Sequence, residues 1–137
     1  MSKPPFKVLG IEHVALAVKD VDTPSNLFGS LLGIEHTSSE EIADQKVNTH
    51  IFDTSKGKIE LLDALSDDSP ISKFLENREE GIHHIAFKVD KLQLALDYLK
   101  HNFNNCEMIE NKGKLSIRVK NIYSIEDALR ICKEITK

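Results

Sequence analysis

The sequence contains only two cysteines, no tryptophan and few aromatic residues, which make up 6% of the chain. Cys106 and Cys132 do not form a CxxC metal or redox motif, and so few cysteines fit a reducing compartment better than a disulfide scaffold. No apolar run approaches the roughly 20 residues that a membrane-spanning helix needs. Residues 1–5 lack the apolar core of a signal peptide and the Arg-rich stretch of a mitochondrial presequence. We therefore expect a soluble, cytoplasmic protein that does not interact with membranes.

An excess of positive charge is also absent, since 18 Lys and Arg face 22 Asp and Glu for a net charge of -4. Proteins that bind nucleic acids cluster cationic side chains against phosphates, so we expect no nucleic-acid partner. A small anionic ligand is still compatible, because a few well-placed cations hold one. The 137 residues, of which 40% are hydrophobic, suffice for one domain or for two halves that share a core.

The most informative feature is an internal repeat. Ile11–Asp20 aligns with Ile82–Lys91 at an offset of 71 residues, and Ile, His, Ala and Val recur at identical places. The same offset pairs Val14 with Ile85, so hydrophobic character is kept where identity is lost. Both segments are rich in aliphatic residues and are predicted to be buried strands.

Each repeated strand is followed by an amphipathic helix, and in the first half by further strands. The predicted helices are Thr23–Leu32, which Gly33 ends, and Leu92–Lys100. Three strands are predicted at about 35–39, 47–53 and 58–62, the last two joined by a turn at Ser55–Gly57. The two halves cover about 8–65 and 81–137, and the connection over about 66–80 contains a short helix that Ser69 caps, with Pro70 at its first position.

Two histidines occupy equivalent positions of the repeated strands, His13 in the first and His84 in the second. A single histidine in an apolar strand is more often a packed core residue than a ligand. If a local two-fold axis relates the two halves, however, these matched histidines would converge on it, and their imidazoles would share one divalent metal ion. His83 points to the other side of its strand, so we expect it either to support a metal ligand indirectly or to have a structural role.

Glu60 lies in the apolar strand segment Ile59–Leu62. Strand alternation puts Glu60 and Leu62 on one face, and Ile59 and Leu61 on the other. Burying a carboxylate among aliphatic side chains is costly without a cation partner. From the residues alone, two alternatives stay open: Glu60 is a metal ligand on an internal strand, or it faces water on an edge strand.

Over about residues 8–100 the chain closely resembles the methylmalonyl-CoA epimerase family of the vicinal oxygen chelate (glyoxalase) superfamily. The resemblance rests on Ile11–Asp20, Leu32–Gly33, Lys58–Leu62, Asp68–Leu75 and Gly81–Val89. It implies an α+β fold of two βαβββ modules in a single domain, and a homodimer. It also implies a metal site in which His13, Glu60 and His84 are ligands of Co, Mn, Zn, Ni or Mg.

The C-terminal segment departs from this family pattern. The family supplies a fourth ligand, a glutamate, from its last strand, and only Ala128–Cys132 can take that place. It carries Arg130 where the carboxylate is expected. Moreover, Ser124–Lys133 has the pattern of an amphipathic helix capped by Ser124. The last element is therefore either an altered strand or a helix that leaves the second module atypical.

The resemblance implies an isomerase that epimerises methylmalonyl-CoA by taking and returning the α-proton through a metal-stabilised enolate. The family's acid and base are usually carboxylates, one of them the missing glutamate and the other on the strand around Val47–Ile51. This chain offers Thr49 and His50 there, so no catalytic residue is assigned. Two alternatives are a catalytically impaired ligand-binding member of the same fold and a glyoxalase-type isomerase with another substrate.

Overall fold

The computed structural model describes residues 3–102, 106–111, 114–119 and 129–132. The chain divides into two compact units. The central unit comprises His13–His83, and the terminal unit comprises Met1–Glu12 together with His84–Lys137. The first and fifth strands each begin in one unit and end in the other. Among the described residues, no helix is long and apolar enough to cross a membrane.

The central unit contains one βαβββ arrangement. Its elements are the part of β1 (Val8–Ala17) that follows Glu12, then α1 (Asp22–Ser25), a π-helix (Asn26–Leu31), β2 (Glu35–Ile42), a 3-10 turn (Ala43–Gln45), β3 (Val47–Asp53), β4 (Lys58–Ala64) and α2 (Pro70–Asn77). β2, β3 and β4 pair antiparallel in that order, and β4 pairs parallel with β1. The helical segment predicted for 23–32 is thus present, but as one α-helical turn followed by a π-helix.

The terminal unit repeats this connectivity. Its elements are β5 (Gly81–Val89, from His84 onward), α3 (Leu92–Asn102), β6 (Cys106–Asn111), β7 (Lys114–Val119) and β8 (Leu129–Cys132). β6, β7 and β8 pair antiparallel in that order, and β8 pairs parallel with β5. In both modules the last strand therefore returns beside the first. The predicted fold class, α+β with two βαβββ modules, is confirmed.

Of the two alternatives left open for the C-terminal segment, an altered strand and a helix, the residues described there form the strand. Leu129–Cys132 is a strand, with β7 on one side and β5 on the other. The helical pattern over Ser124–Lys133 is a local signal, and a short segment accepts strand geometry when ladders on both sides satisfy its backbone groups. The rest of that predicted helix lies outside the described residues.

The core of the central unit occupies both faces of its sheet. On one face, α2 covers a cluster formed by Ala15, Ala17, Val47, Leu62 and Ile71. On the other face, Phe28 of the π-helix packs against a second cluster formed by Val18, Phe52 and Leu61. The alternation predicted for β4 is confirmed, because Leu61 and Leu62 belong to opposite clusters.

The linker helix α2 begins as the sequence predicts. The side-chain oxygen of Ser69, which is completely buried, accepts a hydrogen bond of 3.1 Å from the backbone N–H of Ile71. Pro70 occupies the first turn, where its missing N–H costs nothing. Ile71 is 2% exposed and anchors the helix, while Phe74 and Leu75 pack against the same cluster and are half-buried.

Candidate metal centre

The parallel pairing of β1 with β4 determines where Glu60 lies. In this register His13 is opposite Lys58 and Ala15 is opposite Glu60. Side chains two residues apart on a strand share a face, so His13 and Glu60 lie on the same side of the sheet. β4 is paired on both sides, by β1 and β3, so the alternative of an edge strand is wrong.

His13 and Glu60 make direct contact. The His13 Nδ1 atom lies 3.4 Å from the Glu60 Oε2 atom, and the two side chains are 12% and 17% exposed. An imidazole and a carboxylate that converge in a half-buried position offer the nitrogen and oxygen donors that divalent transition metals and Mg²⁺ accept. The donor chemistry of this pair therefore fits a divalent metal ion.

The second predicted histidine, His84, is 8% exposed in β5. It holds the place in β5 that His13 holds in β1, and its role as a ligand stays a prediction. His83 belongs to the central unit, where its ring packs edge-on against Phe74 with ring centroids 5.0 Å apart. That packing agrees with the structural role expected for His83.

Thr49 and His50, the two side chains considered for acid–base chemistry, lie on opposite faces of β3. Thr49 is opposite Leu62, on the face of Glu60, and its hydroxyl donates a hydrogen bond of 3.1 Å to the Glu40 carbonyl. His50 is opposite Leu61 and faces away from Glu60. A hydroxyl bound to a backbone carbonyl is a poor general base, so neither residue replaces the carboxylate expected there.

The register also locates Arg130. In the first module Glu60 is opposite Ala15, and in the second module Arg130 is opposite Ala86. Ala15 and Ala86 are equivalent residues of the repeat, since they are separated by the same 71 positions as the histidines. An arginine therefore occupies the backbone position in the second module that the glutamate occupies in the first.

A cavity of about 620 Å³ in the central unit lies elsewhere. Its polar lining comes from Lys19, Asp63, Asp67, Ser72 and Glu76. Neither His13 nor Glu60 contributes to it, so the candidate centre is defined by its donor atoms and not by this cavity.

Residues 12–113 match the sequence model of the Glyoxalase/Bleomycin resistance protein/Dioxygenase superfamily. The chain belongs to this superfamily. The match covers the first module and reaches β6 of the second, and it includes His13, Glu60 and His84.

Several curated proteins are similar in sequence. An ethylmalonyl-CoA/methylmalonyl-CoA epimerase of Cereibacter sphaeroides is 37% identical over 91 residues, which are 66% of this chain and 68% of that protein. The mitochondrial methylmalonyl-CoA epimerase of Mus musculus is 33% identical over 100 residues, 72% of this chain and 56% of that protein. The uncharacterized protein YqjC of Bacillus subtilis is 34% identical over 89 residues, 65% of this chain. The chain spans 64% of YqjC and 56% of the mouse protein.

Solved structures agree on the fold. The hypothetical protein BH1468 of Bacillus halodurans superposes with a TM-score of 0.76 at 26% identity, covering 97% of both chains. A methylmalonyl-CoA epimerase of Mycobacterium tuberculosis superposes with a TM-score of 0.75 at 21% identity, over 94% of this chain and 90% of that one.

Proposed function

We propose that this protein is a metal-dependent epimerase that inverts the α-carbon of methylmalonyl-CoA. The observation that carries the proposal is the contact between His13 and Glu60 on one face of the sheet, at 3.4 Å and half-buried. Two relatives similar over 66% and 72% of this chain are named as epimerases of this class of acyl-CoA. A shared fold alone hosts many functions, so the donor pair is the stronger argument.

We propose His13, Glu60 and His84 as the residues that hold the ion. Two imidazoles and one carboxylate are donors that Co, Mn, Zn, Ni or Mg would accept. Such an ion supplies Lewis acidity to the thioester and carboxylate oxygens of the substrate, which makes the proton between them easier to remove.

The protein's own contribution is to orient the donors. β1 and β4 are paired strands of the sheet, so His13 and Glu60 approach each other without the conformational freedom that a loop would allow. Ala15, opposite Glu60 and completely buried, is small enough to leave the carboxylate unobstructed. Thr49, opposite Leu62, lies on the same face of the sheet as Glu60.

The experiment that tests the activity is solvent exchange at the α-carbon. Metal-loaded protein is incubated with methylmalonyl-CoA in deuterated water, and deuterium incorporation is followed by mass spectrometry. We expect exchange with the wild type and with His83→Ala, and loss of exchange with His13→Ala. Absence of exchange with each of Co, Mn, Zn, Ni and Mg would refute the epimerase.

A second candidate function is a ligand-binding member of the same fold with impaired catalysis. Arg130, in the backbone position equivalent to Glu60, favours it, because a guanidinium repels a cation and cannot act as a carboxylate base. This candidate predicts that the protein binds methylmalonyl-CoA in a calorimetric titration and yet leaves its α-proton in place. We further propose that the protein is cytoplasmic and forms a homodimer. Light scattering on a sizing column would test the dimer by measuring its molar mass.

A further inference from the structure

Four polar side chains of the central unit form a continuous chain of hydrogen bonds on the sheet face opposite Glu60. The His36 Nε2 atom lies 2.9 Å from the Ser39 Oγ atom, and the same oxygen lies 2.9 Å from the His50 Nδ1 atom. The other ring nitrogen of His50, Nε2, lies 2.9 Å from the Asp63 Oδ1 atom. Asp63, His50 and Ser39 thus stand in the order carboxylate, imidazole and hydroxyl.

A β-bulge brings the first two members of this chain together. Residues three apart on a regular strand lie on opposite faces, which would separate His36 from Ser39. The pairing of β2 with β3 shifts between His36 and Ser38, so that His36 is opposite Phe52 and Ser39 is opposite His50. The extra residue places both side chains on one face. Bulges that redirect side chains are over-represented next to active sites.

The proton positions follow from the chemistry of the groups. An ionised carboxylate only accepts hydrogen bonds, so the neutral ring of His50 carries its proton on Nε2, toward Asp63. The Nδ1 atom of His50 is then an acceptor, and the Ser39 hydroxyl donates to it. His36 can in turn donate its Nε2 proton to the Ser39 oxygen. Ser39 is therefore bonded to a base that a carboxylate orients, which is the arrangement that activates nucleophilic hydroxyls.

The geometry points to Ser39 as the nucleophile of a second, metal-independent activity, the hydrolysis of small carboxylic esters. Its Oγ atom forms a bond with the ester carbonyl carbon while its proton passes to the Nδ1 atom of His50. The bond between that carbon and the alcohol oxygen then breaks, and the alcohol leaves with the proton from His50. Asp63 stabilises the imidazolium form of His50 between these two transfers.

Water completes the reaction. A water molecule attacks the acyl carbon and gives its proton to the His50 Nδ1 atom, the bond from the acyl carbon to the Ser39 oxygen breaks, and that oxygen takes the proton back. The products are a carboxylic acid and the original hydroxyl. The His36 N–H lies beside the point of attack, where it can donate to the negative charge that develops on the carbonyl oxygen. Ser39 and His36 are both exposed, so an ester can reach them.

Two probes test the proposal on the full chain in the presence of a chelator. A fluorophosphonate should phosphonylate Ser39, with loss of fluoride, and peptide mass spectrometry locates the added mass. p-Nitrophenyl acetate should be hydrolysed with a burst of p-nitrophenolate. Ser39→Ala should abolish both signals, whereas Ser38→Ala should react as the wild type does, because Ser38 is opposite Ile51 on the other face.

The His50→Gln variant distinguishes a loss of catalysis from a loss of folding. Glutamine keeps hydrogen-bonding groups but does not act as a base. We expect a decrease of about 100-fold in the labelling rate with an unchanged circular dichroism spectrum. The proposal is overturned if Ser39→Ala is labelled as fast as the wild type. It is also overturned if the native chain reacts no faster than the urea-unfolded chain, which would mean that the hydrogen-bond chain only ties β2 to β3.

Discussion

Replacing Ile71 with alanine tests how the linker helix is attached to the sheet. Ile71 is 2% exposed and belongs to a cluster with Ala15, Ala17, Val47 and Leu62. Three carbon groups are removed, each worth about 0.8 kcal/mol of burial, for a total of about 2.4 kcal/mol. The two alanines beside it carry no side chain that can rotate into the space, so a cavity cost adds to this loss. We expect a destabilisation of about 3 to 4 kcal/mol.

The assay is urea unfolding of wild type and Ile71→Ala, followed by circular dichroism. A loss of about 3 kcal/mol lowers the melting temperature of a 137-residue chain by about 10 °C, from an unfolding entropy of about 2.1 cal/mol/K per residue. Lys73→Ala is the matched control, because Lys73 is exposed on the same helix and should change stability by less than about 0.5 kcal/mol. A loss below 1 kcal/mol for Ile71→Ala would refute the reasoning.

Three further predictions concern the cap, the linker and the repeat. Ser69→Ala should lower the free energy of unfolding by about 1 kcal/mol, measured in urea, because the Ile71 N–H loses its partner in a buried position. Hydrogen bonds from Lys46 and Ser66 lower the pKa of Asp68 from 3.8 to about 2, so its contribution to stability is complete above about pH 4 and is lost as the pH falls toward 2. Asp68→Asn should therefore make stability fall less steeply over this interval in acid titrations, and an unchanged slope would contradict the assignment. Arg130→Glu should tighten Mn²⁺ binding about tenfold in calorimetric titrations, and weaker binding would count against the equivalence of the two modules.

Much of the fold could be predicted because its signals are local. The repeat of Ile11–Asp20 at Ile82–Lys91 predicted two similar modules, and both have the same strand connectivity. β3 has the predicted bounds, and α2 begins after the predicted Ser69 cap. In each case one segment of sequence contains the whole signal, as alternation or as a capping motif.

The features that could not be predicted depend on partners distant in sequence. β8 carries a helical pattern, and only its pairing with β5 and β7 makes it a strand. The bulge between His36 and Ser38 leaves no trace in hydrophobic periodicity, so the hydrogen-bond chain to His50 was missed. For the candidate site, the sequence alone did not decide whether Glu60 is a metal ligand on an internal strand or a solvent-facing residue on an edge strand. The pairing of β4 with both β1 and β3 excludes the edge strand.

The most direct test of the central claim is a metal titration of the purified chain and its histidine variants. If His13, Glu60 and His84 share one ion, calorimetry should give one site per chain, and His13→Ala and His84→Ala should each weaken binding at least tenfold. His83→Ala should bind as the wild type does, because its ring packs on Phe74. A wild-type chain that binds no divalent ion, or a His84→Ala variant with wild-type affinity, would contradict the account.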